Sequence, residues 1–217
     1  MASVVNSSAE IARNVYSQLG PAGLAARTTA EWDLQTIEFV REMLPAAQRI
    51  LDVGCGYGRI AIPLAEAGHN VVGVDISEDM LQEARRRASE VGIPVEWLLG
   101  DMCNLPQGDQ SFDVVLCLWL TFHELYQESE QLAALREMIR VLRPGGWALL
   151  DGPPYPDTSV ASVEEFEAEI RFAQLMKLVG ITKYELFVDD CPGRPRQFLR
   201  FFKSNECHTE RIPGVTH

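Results

Sequence analysis

From residue 49 onward the chain alternates between two hydrophobic periods. Short apolar runs at 49–53, 71–75, 95–98, 112–118 and 147–151 are rich in Val, Ile and Leu, as strands covered on both faces are. Between them the apolar residues fall on a helical stripe: Met80, Leu81, Ala84, Ala88 and Val91 in one segment, Leu132, Leu135, Ile139 and Leu142 in another. Strand and helix in strict alternation predict a parallel sheet with helices on both sides, because each right-handed crossover carries the chain back over one face. Ser77 before Glu78 and Asp79 reads as an N-cap followed by acids in the first helical turn, and Gly92 and Pro94 end that helix. Pro144-Gly145-Gly146 stops the helix closing near Leu142. Pro63 is tolerated within 59–67 if that helix opens near Arg59, where the first N–H groups have no partner in any case.

Downstream, 163–179 predicts another amphipathic helix, with Phe166, Ile170, Ala173 and Met176 on one stripe and Gly180 as terminator. The runs 184–188 and 197–202 are joined by a segment too short for a crossover helix, so they predict an antiparallel hairpin closing the sheet. Such a hairpin buries Phe198, Phe201 and Phe202 and exposes Arg194, Arg196 and Arg200. Before the first strand, 9–19 and 30–44 read as two helices around the break Gly20-Pro21-Ala22-Gly23. The expected organisation is one α/β domain, a three-layer sandwich: a helical N-terminal extension over 1–45, a core over 46–204 and a polar tail over 205–217.

Charge narrows the partners. Nineteen Lys and Arg against 31 Asp and Glu give a formal net charge of −12, which repels a phosphate backbone over most of the surface and argues against nucleic acid and anionic membranes. The five cysteines, Cys55, Cys103, Cys117, Cys191 and Cys207, form no C-x-x-C pair and read as reduced thiols, with neither a disulfide framework nor a zinc site. The N-terminal residues lack a basic stretch followed by an apolar core, and no apolar run approaches the ~18 residues of a membrane span. These features predict a cytoplasmic protein.

The chemistry concentrates in Ile50-Leu51-Asp52-Val53-Gly54-Cys55-Gly56-Tyr57-Gly58-Arg59. A strand entering a glycine-rich turn that opens a helix lets backbone amides approach a ligand closely. A dinucleotide fingerprint would need its third glycine where Arg59 stands, and Asp52 would face a pyrophosphate unfavourably. A carboxylate there suits a ligand with a cationic amine. Asp75, ending the second strand, offers an acceptor for two ribose hydroxyls, and Asp101 with Met102, after the third, suits an adenine amino group and ring.

In order along the chain, ILDVGCGYGR, VVGVDIS, GDMCNLP, FDVVLCL and VLRPGGWALLD resemble the successive motifs of the class I S-adenosylmethionine (SAM) dependent methyltransferases, over about 37–202. The resemblance implies a Rossmann-like, mostly parallel seven-stranded sheet with an antiparallel final strand. It also implies SAM as cofactor, with Asp52, Gly54, Cys55 and Gly56 around the methionine moiety, Asp75 and Ile76 at the ribose, and Asp101 and Met102 at the adenine. The segment after the fourth strand, Leu118 to Glu124, would line the methyl-transfer cleft.

Methyl transfer needs alignment, exclusion of water and, for some acceptors, removal of a proton. His123 is the candidate base, because imidazole titrates near neutrality, and Glu124 is a candidate contact for the cofactor or a substrate amine. Tyr16 and Trp32 lie in the extension, which in this family commonly folds over the cofactor. Tyr155 is a candidate cleft residue, although Gly152-Pro153-Pro154-Tyr155 follows the wrong strand for an amine-methylating motif. Arg85-Arg86-Arg87 reads as a solvated helix face, and His69, His208 and His217 as surface residues. The expected reaction is methyl transfer to O, N or C of a small molecule. The alternatives are a SAM-binding regulatory or scaffolding protein, a protein or nucleic-acid methyltransferase of this fold, and, least favoured, an NAD oxidoreductase.

Overall fold

The computed structural model describes residues 7–154, 163–189 and 196–205. Seven strands, β1 (Arg49–Val53), β2 (Asn70–Asp75), β3 (Glu96–Leu99), β4 (Phe112–Cys117), β5 (Leu142–Pro154), β6 (Tyr184–Asp189) and β7 (Arg196–Phe202), form one sheet in the order β3-β2-β1-β4-β5-β7-β6. β1 to β5 are parallel, and β7 lies antiparallel between β5 and β6. From β1 the chain lays down β2 and β3 on one side and then crosses to β4 on the other. That reversal opens a crevice at the carboxyl ends of β1 and β4, where ligands bind in open α/β sheets.

Among the described residues six α-helices accompany the sheet: α1 (Ser8–Ala25), α2 (Ala30–Glu42), α3 (Ala61–Glu66), α4 (Glu78–Glu90), α5 (Glu128–Val141) and α6 (Val163–Leu178). Alternation along each strand assigns the faces. Ile50 of β1 packs with Ile37 and Val40 of α2 and Leu64 of α3, whereas Leu51 and Val53 join Leu135 and Met138 of α5 and Phe172 and Leu175 of α6. Ser77 caps α4 as expected, accepting from the Met80 amide at 3.4 Å. Along α6, Met176 is buried and Ala173 half-buried, while the side chains of Phe166 and Ile170 lie outside the described residues.

Several boundaries differ from expectation, each for a local reason. The break at Gly20 is a kink inside α1, not its end: Gly20 takes φ 65° and ψ 169°, and helix resumes at once through Pro21. Pro144 to Gly146 form a bulge in β5, across which the pairing jumps from Phe112–Leu142 to Val114–Trp147. α3 opens at Ala61 because the preceding residues form a turn, with the Gly58 amide donating to the Cys55 carbonyl at 3.0 Å. β3 is a half-exposed edge strand and is not covered on both faces.

Arg196 overturns the expectation that the hairpin arginines are exposed. It is buried, and its guanidinium pairs with Asp151 at 3.1 Å and donates to Thr36 of α2 at 2.6 Å. A buried guanidinium needs such partners, and α2 supplies the cover that strand periodicity cannot reveal. Arg200 is half-buried beside Glu185; Phe198 and Phe201 are buried and Phe202 is half-buried. His69 is also half-buried, its Nδ1 accepting from the Gln48 amide at 3.2 Å. Arg194, Tyr155, Cys191, His208, His217 and the tail from 206 lie outside the described residues.

Candidate functional site

At the carboxyl end of β1, Gly54 and Gly56 adopt φ 70° and φ 54°, a region that side-chain-bearing residues avoid. The amides of Gly54 and Cys55 both donate to the Val74 carbonyl, at 2.8 and 3.1 Å, which ties the turn to β2. A Cβ on Gly54 would stand 2.2 Å from Cγ2 of Thr121, whose hydroxyl is fixed on the Leu118 carbonyl at 2.7 Å. Glycine there is what lets the segment after β4 close over the turn. Cys55 is buried, and burial pushes its thiol well up, so it lines the wall as an unreactive apolar group.

The acids form a graded set. Asp75 is 8% exposed, and the Gly56 amide donates to its Oδ2 at 2.8 Å and the Ser77 amide to its Oδ1 at 2.9 Å. Burial still raises its pKa, against those amides. Asp101 takes the Cys103 amide on Oδ1 at 2.8 Å, beside Met102. Asp52 is 3% exposed, and its Oδ2 has no hydrogen-bond partner. Burial pushes its pKa up to about 7; Arg59 lowers it, Asp75 raises it further and the Ala61 amide lowers it.

These groups face one cavity. α1 roofs it with Ser8, Ala9, Ala12, Tyr16 and, past the kink, Leu24. Polar ties at three residues hold the roof. The Ser8 amide donates to Glu130 at 3.0 Å and the Ser8 hydroxyl to the same carboxylate; the Tyr16 hydroxyl donates to Glu124 at 3.2 Å; the Ser17 hydroxyl donates to Asp79 at 3.3 Å. Burial, then Glu124, raise the pKa of Tyr16 far above that of an ordinary phenol.

The remaining wall follows β4. Trp119 and Leu120 have φ 64° and φ 65°, and their amides donate to Asp151 at 2.8 and 2.7 Å. The Trp119 ring lies 4.0 Å from the Arg59 guanidinium carbon and 4.8 Å from that of Arg196. Arg59 also stands 3.5 Å from Asp33 of α2. The 3₁₀ turn Thr121–Glu124 then carries Thr121 and Glu124 to the cavity.

The structure therefore brings together, at one cavity, Asp52, Gly54, Cys55, Gly56, Asp75, Ile76, Asp101, Met102, Leu118, Tyr16 and Glu124. His123 is not among the lining residues; it is exposed, its ring edge-on to Phe122 and Phe172 at 6.3 and 6.2 Å, and desolvation by these neighbours followed by Arg171 lowers its pKa. Trp119 and Thr121 line the cavity within the segment 118–124 expected there, whereas Arg59 lines it with no binding role expected from sequence; its signal was its place directly after the glycine turn. Among the described residues no cluster of His, Cys, Asp and Glu could hold a metal, and no helix is long and apolar enough to cross a membrane. The residues do fit an organic ligand that presents a cationic amine to the orphaned Asp52 oxygen, a diol to Asp75 and a flat heterocycle to Asp101 and Met102.

A seven-stranded sheet with this order, a glycine turn after β1 and an acid closing β2 make the arrangement similar to that of the class I SAM-dependent methyltransferases. Residues 50–146 match the family of methyltransferase domains. Among relatives, the YqeM protein of Bacillus subtilis (strain 168) is 33% identical over 138 residues, covering 60% of this chain and 56% of its own length. The demethylmenaquinone methyltransferase of Renibacterium salmoninarum is 36% identical over 123 residues, 57% of this chain and 48% of that protein. The chain thus matches about half the length of these relatives. In fold it is similar to the magnesium protoporphyrin IX methyltransferase of Synechocystis PCC 6803, solved with bound SAM, with a TM-score of 0.67 and 21% identity over 94% of this chain and all of that one.

Proposed function

We propose that the protein is a SAM-dependent methyltransferase acting on a small-molecule acceptor. The observation that carries this reading is the unpartnered, buried Asp52 carboxylate oxygen beside the glycine turn, with Asp75 already oriented by two backbone amides. Asp52 would hold the cofactor's ammonium, Asp75 its ribose hydroxyls, and Asp101 with Met102 its adenine. SAM, when bound, supplies a sulfonium methyl that a nucleophile displaces in line. The work left to the chain is to align the acceptor and exclude water, which the α1 roof and the Thr121–Glu124 turn serve. Glu124 is the titratable side chain of that turn that lines the cavity, so it is the better-placed acceptor for a proton than His123.

Three things support a small acceptor. The net charge of −12 disfavours polyanions. Only residues 155–162 separate β5 from α6, which leaves little chain for an inserted recognition module. Two of the similar proteins are named for methylating demethylmenaquinone and magnesium protoporphyrin IX. Calorimetry with SAM and NAD tests the cofactor: SAM should bind, NAD should not, and Asp75→Ala should weaken SAM at least tenfold. Saturable NAD binding without SAM binding would sink the assignment. SAM binding without methyl transfer to any metabolite pool would leave a SAM-binding regulatory protein.

A further inference from the structure

Granted the methyl-transfer reading, on which the choice of acceptor rests, the charge pattern of the cavity narrows the chemistry of that acceptor. Four described carboxylates line it, Asp52, Asp75, Asp101 and Glu124, against one guanidinium, Arg59, which already has Asp33 beside it. Backbone amides hold Asp75 and Asp101, and the free oxygen of Asp52 faces the expected cofactor ammonium. Glu124 is different. Its Oε1 accepts from the Tyr16 hydroxyl at 3.2 Å and its Oε2 from the Tyr126 hydroxyl at 3.3 Å, both long for a hydroxyl on a carboxylate. Among the described residues no Lys, Arg or His pairs with it. SAM brings one net positive charge, so the lining keeps an anionic excess after the cofactor is in place, and Glu124 retains lone pairs for another donor.

We propose that the acceptor is a small amine, its N–H groups held by Glu124, and that the protein is an N-methyltransferase. Two further points favour nitrogen over oxygen. An attacking amine gains positive charge as the bond forms, which a neighbouring carboxylate stabilises; a phenol or carboxylic acid attacks best as an anion, which the same field opposes. Tyr16 is a phenol already in that place, and burial together with Glu124 and Asp75 disfavours its ionisation. In the step itself the lone pair of a neutral amine forms the N–C bond while the C–S bond breaks and its electron pair stays on sulfur. The product ammonium then gives its surplus proton to Glu124 or to water.

Benzylamine, benzyl alcohol and benzoate, which share one skeleton, test this by ligand-observed NMR on the protein loaded with S-adenosylhomocysteine, alongside mass spectrometry of SAM reactions. Benzylamine should bind at least tenfold more tightly than the other two, and Glu124→Gln, with its melting temperature checked against the native protein, should erase that preference. Equal or stronger binding of the alcohol or the carboxylate, binding of none of the three, or an unchanged preference in Glu124→Gln overturns the amine assignment. Failure of S-adenosylhomocysteine itself to bind overturns the methyl-transfer reading instead.

Discussion

Asp52 is a carboxyl whose burial outweighs the attraction of Arg59. With its pKa pushed up to about 7, it carries a proton through the mildly acidic range, and a cationic ligand must displace that proton. If Asp52 holds the SAM ammonium as proposed, binding is linked to proton release with a definite sign: affinity should fall by up to about tenfold per unit as pH drops below about 7 and level off above it. Asp52→Asn should bind more weakly with a flat profile, measured by calorimetry between about pH 5 and pH 8; parallel profiles would refute the linkage. Because the folded pKa lies above the unfolded value, this group alone makes the ligand-free protein lose stability as pH rises from about 4 to about 7. Asp52, Asp75 and Asp101 were legible as a set because each ends or follows a successive strand, which is where a parallel sheet exposes its ligand face. The stacking of Arg59 on Trp119 was not. The two meet only because β1 and β4 are neighbours in the sheet, and nothing local in either segment records that.

The segment after β4 shows what one element can impose on another. Two consecutive left-handed residues cost about 1–2 kcal/mol each without a compensating contact. Asp151, within β5, accepts both of their amides while Arg196 neutralises it. Asp151→Ala leaves the Arg196 charge buried without its partner, so a loss of about 3–5 kcal/mol is expected in urea unfolding. A loss below about 1 kcal/mol would show that the loop holds its shape unaided. Sequence periodicity located β4, β5 and β7 but not this arrangement, since Asp151 and Arg196 are 45 residues apart and alternation reports a strand's faces, not what covers them. The kink in α1 and the bulge in β5 were missed for a related reason. A Gly-Pro or Pro-Gly-Gly sequence announces a change of direction, and only the packing beyond it decides whether the element resumes.

For the molecule as a whole, α1 is the part that stands between the cavity and solvent, and its ties are polar. Removing the Ser8 hydroxyl deletes a bond to a charged group, worth about 1.5–3 kcal/mol, from the contact with Glu130. Ser8→Ala should therefore raise both the association and dissociation rates of SAM roughly tenfold in stopped-flow measurements, and speed amide exchange in α1. Unchanged rates would mean that ligand enters by another route. The same contact bears on how the chain acquires its shape. Ser8 and Glu130 are 122 residues apart, so the roof can be secured only after β1, β2 and β4 have paired and α5 has docked, a closure of high contact order. The ligand cavity is thus expected to form late in refolding, which pulse-labelled amide exchange in α1 checks. A ligand can then act only on finished molecules, drawing the population toward them by mass action.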